Sequence, residues 1–567
     1  MNLDPGPGME SEHGMWKPFI IAISFVNLCY LRVWSELLSY TPAQSYEMRL
    51  PPGPHDYLAV ILNVALWGVV LGIAAAAIAK AKARRCGPAP GPRALVPSFG
   101  PALVPAAEWL WLGAMFIPLN ALRELLASRL PVGQQYLKGG LYAALGSAGV
   151  VVLGIAVTAG GAFALHRFRQ KILGAIHAGL LIAAPFVPMT VAQAAWAAYQ
   201  YDPLPFTGQA AAARREAEIT ARRESENTAP REAEITARRA VWVIFDEWDQ
   251  RLTFDDRPAD LLLPEIDRFR REALAALAAY PPRNNTLESI PSLLSGEVVV
   301  RAEPMGAADL RLTFRGSSSA ASWRDVPNVF DIARARGFNT ALVGVYHPYC
   351  RVLASSLTSC WWAEMPRPIN SNGATLGAAM QGQTRSLFET WRLSAFGQSL
   401  STQRKAREFP AAVERAKVAA SDPSYGLVLL HLLTPHFPHA YDRRTGAFTL
   451  GNAPVGGYYD SLALTDRVWG ELRRAMEDAG VWDTTAVLLS SDHGMKHSGL
   501  LDGKSDSRVP FLLKLSRQTE GFEYDQKFNT VVSGNLLLEI LDARIETPRQ
   551  AAEWLDRQDG FRQRAGE

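Results

Sequence analysis

One hydroxyl, that of Thr286, stands in the stretch Asn284-Asn285-Thr286-Leu287-Glu288-Ser289-Ile290-Pro291, just ahead of a short apolar run that closes at Gly296. A threonine hydroxyl is a weak nucleophile at its ordinary pKa and needs a base or a metal ion to act as an alkoxide. Groups that could hold such an ion stand elsewhere in the chain. Residues 241–247 read as a buried strand ending in Asp246-Glu247, and residues 486–494 as a second strand ending in Ser491-Asp492-His493-Gly494. Acids and a histidine at the carboxyl ends of apolar strands occupy the place where open α/β sheets put their ligand sites. Asp246, Asp492 and His493 offer hard oxygens and a borderline nitrogen, a set that suits zinc and leaves a fourth position for Thr286.

These features follow one another in a familiar order: Asp246-Glu247, Thr286 ahead of Gly296, Thr434-Pro435-His436, then Ser491-Asp492-His493-Gly494. The arrangement resembles the sulfatase-type branch of the alkaline phosphatase superfamily. The Thr-x-x-Ser-Ile-Pro spacing is most similar to membrane phosphoethanolamine transferases and, more distantly, to lipoteichoic acid synthase. The resemblance covers residues 240–560 or so. It implies a metal site of Asp246, Thr286, Asp492 and His493, holding one or two divalent ions, zinc foremost. Glu247 stays open as a ligand or a solvent-facing neighbour, since the transferases carry one acid here and the sulfatases two. The resemblance also implies a substrate-holding histidine at His436, with His439 as its alternate, and anion-binding groups at His497 and Lys504. Val345-Tyr346-His347 falls where sulfatases read Lys-Trp-His, and the lysine is missing. His347 is then either a substrate contact or a capping or core histidine, and Arg351 either an anion contact or a solvated arginine.

A sulfatase proper would need Cys or Ser in a Cys-x-Pro-x-Arg signature, whereas this chain has Thr286, with Glu288 and Ile290 where Pro and Arg belong. The reading is therefore a transferase that moves a phospho-head group, phosphoethanolamine or similar, from a membrane phospholipid through a phosphothreonine to a lipid or glycan acceptor of the cell envelope. A sulfatase-like hydrolase or phosphodiesterase is the alternative, and a catalytically inactive scaffold a third.

The rest of the chain has to hold that site at a bilayer. Over 567 residues, 48% are hydrophobic and 20% charged, but charge is sparse before about residue 200 and regular after it. Residues 57–79 and 141–165 are uncharged runs longer than the ~20 residues a bilayer core requires. Residues 19–38, 102–122 and 172–199 are further candidates, although they contain Arg32 and Glu36, Glu108, and His177. Five transmembrane helices are thus expected within residues 1–200. Lys80, Lys82, Arg84, Arg85 and Arg93, then Arg167, Arg169 and Lys171, mark cytoplasmic loops. That places the amino terminus in the cytoplasm of a bacterium and the catalytic part on the far side of the inner membrane. The net charge of +3 and the lack of a basic stripe exclude a nucleic-acid partner, and the chain is expected to act as a monomer.

Residues 201–239 form a charged linker in which Arg-Glu-Ala-Glu-Ile-Thr-Ala-Arg-Arg at 215–223 recurs at 231–239. It is too poor in apolar residues to build a core. From 240 to 567 strand and helix patterns alternate, which predicts an α/β domain with a mostly parallel sheet between helices. Cys350 and Cys360 lie ten apart in the part placed outside, where oxidising conditions favour a disulfide.

Overall fold

The computed structural model describes residues 9–38, 46, 52–86, 103–129, 131–200, 238–363, 375–395, 400–449 and 456–558. The chain divides into two compact units, and it passes between them more often than the sequence division implies. Residues 367–392 group with the amino-terminal unit, and residues 41–49 group with the carboxy-terminal one.

The amino-terminal unit is helical. Pro54–Lys80 and Val151–Tyr199 are long and apolar enough to cross a membrane, and the pair Trp16–Cys29 and Leu31–Leu38, bent by 59°, makes a third if counted as one span. The expected loop between the fourth and fifth spans is absent among the described residues. One helix, Pro131–Ala183, runs straight through Arg167, Arg169 and Lys171, because Arg, Gln and Lys are good helix formers and no proline interrupts them. The region expected as a span at 102–122 is instead two shorter helices, Leu103–Ala114 and Phe116–Arg129. Among the described residues two helices, or three with the bent pair counted as one, are thus long and apolar enough to span a membrane. The acids inside the apolar runs are paired: Glu36 accepts from Arg32 Nε at 3.1 Å, and Glu108 accepts from Gln170 Nε2 at 3.1 Å and forms an ion pair with Arg169, whose Nε lies 3.2 Å away. Pairing is what lets ionised side chains stay among apolar helices.

In the carboxy-terminal unit an eight-stranded sheet is built from β1 (Arg239–Phe245), β2 (Leu274–Ala276), β3 (Thr340–Val345), β4 (Ser359–Ala363), β5 (Leu427–Leu432), β6 (Thr485–Ser490), β7 (Phe511–Lys514) and β8 (Phe522–Tyr524). Their spatial order is β8-β2-β7-β6-β1-β5-β3-β4. The run β6-β1-β5-β3-β4 is parallel, and β7 is antiparallel to both neighbours, so the sheet is mixed. The central strands are buried on both faces. Ala240, Trp242 and Ile244 enter one core, while Val241, Val243 and Phe245 enter the other, as the two-residue period of a strand dictates.

The duplicated linker lies outside the described residues apart from its end. Arg239 does not belong to a solvated spacer: it begins β1, is 6% exposed, and donates to the carbonyls of Tyr425, Ala419 and Ala420 and to Thr485 Oγ1. Cys350 and Cys360 are joined, with Cα atoms 5.6 Å apart. The bridge ties the short helix Tyr349–Val352, which follows β3, to the edge strand β4.

Asp466, on the helix Gly457–Asp478, accepts from the amide of Ile266 at 2.8 Å and so caps the helix Pro264–Arg270 from outside. Burial pushes its carboxyl from 3.8 up to about 7. The folded chain thus holds this proton more tightly than the unfolded chain, so stability is full below about pH 4 and is lost as pH rises through about 7. Asp466→Asn keeps an accepting oxygen and removes the charge. Melting curves at about pH 4 and about pH 8 should show the variant unchanged at the acid end and more stable by up to about 4 kcal/mol at the alkaline end.

Candidate active site

Three adjacent strands, β6, β1 and β5, end on one edge of the sheet and deliver the acids and imidazoles together. Asp246 follows β1, Asp492 and His493 follow β6, and His431 is the fifth residue of β5, paired in register with Ile244. Ser491 stitches the first and last of these loops. Its hydroxyl lies 2.7 Å from the Phe245 carbonyl and 2.8 Å from that of His493, and it accepts from the amide of Trp248 at 2.9 Å. Glu247 is forced into a left-handed conformation, φ 67°, in which its amide meets Asp492 Oδ1 at 3.2 Å and its carbonyl accepts from Tyr458 at 2.8 Å. Strain of this kind is held where surrounding bonds over-determine the backbone.

Thr286 is the first residue of the helix Thr286–Ser295. Asn285 caps that helix by accepting from the amide of Glu288, and Gly296, at φ 77°, ends it in a conformation open to glycine, with Asn535 packed against the Cα. Thr286 therefore sits where backbone N–H groups lack partners within the helix and the macrodipole favours negative charge. Thr286 Oγ1 lies 3.3 Å from His493 Nε2, and that nitrogen lies 3.8 Å from Asp246 Oδ1 and 3.6 Å from Asp492 Oδ2. On the other oxygen of Asp246, Oδ2, stands His431 Nε2 at 3.8 Å.

The acids and imidazoles are buried, and several of their atoms face one another without bonding. Asp246 Oδ1, Asp492 Oδ2 and His431 Nε2 have no hydrogen-bond partner. Ligands held about 2.1 Å from one tetrahedral ion lie about 3.4 Å from each other, close to the separations seen and too long for most hydrogen bonds. Burial, then the neighbouring Asp492 and Glu247 carboxylates, pushes the Asp246 carboxyl well above its ordinary range. Burial also lowers His431 to about 4, so that it is a neutral imidazole at physiological pH. A divalent cation would satisfy the orphaned oxygens and balance the facing acids, and Asp246, His431 and Asp492 form a group able to hold one. His493 Nδ1 is 2.8 Å from the Gly494 carbonyl, which it donates to, leaving the Nε2 lone pair aimed at the cluster.

His431 is thus a site residue that the sequence reading placed only within an apolar strand. Its Nδ1 is 2.7 Å from Tyr349 Oη, and the Tyr349 ring lies so close to β3 that a Cβ on Gly344 would come within 2.5 Å of it. Lys405, on the helix Leu400–Ser421, is a second omission. It is buried, donates to the His436 carbonyl at 2.5 Å, and is lowered by burial to about 7 in spite of the pull of Asp246 and Glu247.

The other expected residues divide. The amide of His436 donates to the Asp246 carbonyl at 3.1 Å, and its imidazole feels Glu247, Lys405 and His493. His439 is tied to Ser461 Oγ at 3.1 Å. Glu247 is buried, and its Oε1 meets the Lys496 amide at 3.4 Å. His347 is buried, with Nε2 3.0 Å from the Thr286 carbonyl, so it supports the backbone at Thr286. Lys504 does not join the cluster, because its ammonium pairs with Asp256 at 3.0 Å and is largely exposed. His497 is likewise exposed, while its neighbour Lys496 is the residue whose charge reaches Asp246. Arg351 donates to the Ala307 carbonyl at 3.1 Å and lies over the ring of Trp362, which spends the guanidinium on structure.

A sheet of this order carries acids and imidazoles at its carboxyl edge beside a helix-borne alcohol. The chain belongs to the sulfatase family, whose model matches residues 238–543. Among solved structures it is similar to the PsFucS1 sulfatase from Pseudoalteromonas sp., at 13% identity over 55% of this chain and 72% of that one, with a TM-score of 0.39. It is also similar to the lipoteichoic acid synthase LtaP from Listeria monocytogenes, at 12% over 55% and 78%, TM-score 0.37. A third is the phosphonate monoester hydrolase of Agrobacterium radiobacter, at 13% over 54% and 74%, TM-score 0.36. No curated protein matches the chain.

Proposed function

We propose that this enzyme is a membrane-anchored transferase that takes a phospho-head group, phosphoethanolamine or similar, from a phospholipid and passes it through a phosphothreonine to an acceptor of the cell envelope. The observation that carries the reading is the alcohol of Thr286 at a helix N-terminus, 3.3 Å from His493 Nε2 and beside the orphaned oxygens of Asp246 and Asp492. A formylglycine hydrolase needs cysteine or serine at that position. The apolar amino-terminal helices supply a reason for a lipid donor.

Asp246, Asp492, His493 and Thr286 would hold the ion, with His431 as a further nitrogen. Zinc fits a mixed oxygen and imidazole set. When bound, the ion would lower the pKa of the Thr286 hydroxyl and neutralise charge on the attacked phosphate. In the first half-reaction Thr286 Oγ forms a bond to phosphorus, the bond from phosphorus to the glycerol oxygen breaks, and diacylglycerol leaves with a proton. In the second half an acceptor hydroxyl bonds to phosphorus, the threonine ester breaks, and the acceptor's proton returns to Thr286 Oγ. His436 would hold the transferred group, and Lys405 and Lys496 are the cations placed to offset charge on its oxygens. We place the protein in a bacterial inner membrane, multi-pass and monomeric, with its amino terminus in the cytoplasm and its catalytic unit outside.

Incubation of the full chain with defined phospholipids, followed by intact-mass measurement, should reveal an adduct on Thr286 whose added mass names the head group. Turnover of soluble esters with water, without any adduct from lipid, would instead identify a phosphodiesterase.

A further inference from the structure

Tyr46 lies in the stretch between two helices of the amino-terminal unit, far outside the residues that match the family, yet it belongs to the carboxy-terminal unit. Its side chain is 0% exposed and joins the same core as Ile290 and Leu293, on the inner face of the helix that begins at Thr286. Its hydroxyl is 2.8 Å from His347 Nδ1, and the two rings meet edge to face with centroids 5.8 Å apart. The other nitrogen of His347 is 3.0 Å from the carbonyl of Thr286.

Donor and acceptor chemistry decides how this chain of contacts runs. A carbonyl oxygen can only accept, so the proton of a neutral His347 must sit on Nε2. Nδ1 is then a bare acceptor, and the Tyr46 hydroxyl must donate to it. His347 is walled in by Trp323, Tyr346 and Tyr349, with centroids 5.1, 5.0 and 5.5 Å away, so no solvent is at hand to replace that donor. The tautomer of His347, and with it the hydrogen bond that fixes the backbone of Thr286, is set by a residue from the amino-terminal part of the chain.

We propose that Tyr46 is a positioning residue for the reaction at Thr286, acting through His347 on the nucleophile's peptide group. The inference rests on Thr286 being the nucleophile. It makes Tyr46, which follows the first apolar helices in the sequence, part of the catalytic unit. A nucleophile displaced by a fraction of an ångström loses rate while substrate binding is little changed.

The test uses the full chain in detergent with bis(p-nitrophenyl) phosphate, whose nitrophenolate reports attack on phosphorus whatever the acceptor. Tyr46→Phe keeps the ring and removes the donor; it should lower kcat roughly 10-fold and leave KM and bound metal unchanged. His347→Gln should show a similar loss, and the double variant should be no worse than His347→Gln alone, because the proposed effect of Tyr46 runs through His347. A Tyr46→Phe enzyme with normal kcat, or losses that multiply in the double variant, would overturn the proposal. So would a loss of metal or of thermal stability that accounts for the whole defect. Thr286→Ala run alongside separates the two levels: if it stays active the nucleophile itself is misassigned, and if it is dead while Tyr46→Phe is normal only the relay fails.

Discussion

Thr286→Ala should lower kcat by about 10⁴-fold or more and abolish any covalent adduct, while the protein still folds and still binds a metal ion. The methyl that remains fills most of the same space, and Asp246, Asp492, His493 and His431 keep their places on the ends of β1, β6 and β5. Thr286→Ser gives the sharper contrast. It keeps the oxygen 3.3 Å from His493 and should retain turnover within about 10-fold of the parent, with a phosphoserine trapped in place of the phosphothreonine. Steady-state rates together with peptide mass mapping check both. An alanine variant that turns over normally would mean that the alcohol is only a helix-capping neighbour of the acids.

Removal of metal should be the second large effect. Dialysis against a chelator is expected to abolish activity and to lower the melting temperature by about 5 °C, and added Zn2+ should restore both. The lowered stability follows from two buried carboxylates left facing each other, of which Asp246 already has its ionisation disfavoured by burial and by Asp492. Asp492→Asn should therefore lose metal-dependent activity, show no melting shift on addition of Zn2+, and yet be at least as heat-stable as the metal-free parent. A rate assay reads the first, and calorimetry with and without Zn2+ the other two. A variant less stable than the metal-free parent would show that Asp492 supports the fold through its contact with the Glu247 amide rather than through charge at a metal centre.

The parts of the site that the sequence discloses are those at the ends of apolar runs. Asp246, Asp492 and His493 break strands that are otherwise wholly buried, so the polar residues stand out at the position where an α/β sheet opens. His431 escapes the same reading because it lies inside β5, where alternation assigns an interior place and the partner strand is distant in the chain. Lys405 escapes because a lysine on a charged helix reads as a solvated face, and only tertiary packing against the His436 turn buries it. Lys504 misleads in the opposite direction, since its neutralising partner Asp256 is 248 positions away. The antiparallel β7 could not be told from a parallel strand, because its Phe-Leu-Leu-Lys pattern carries no sign of direction. Among the amino-terminal helices, basic residues look like a loop by the rules of membrane topology, while local propensity lets Pro131–Ala183 run unbroken through them.

The bridge between Cys350 and Cys360 fastens the segment immediately after His347, and His347 in turn steadies the peptide group of Thr286. A newly made chain with free thiols lacks that fastening, so its reactive alcohol is less firmly seated. Full competence then awaits thiol oxidation, so activity should follow closure of the bridge rather than synthesis of the chain.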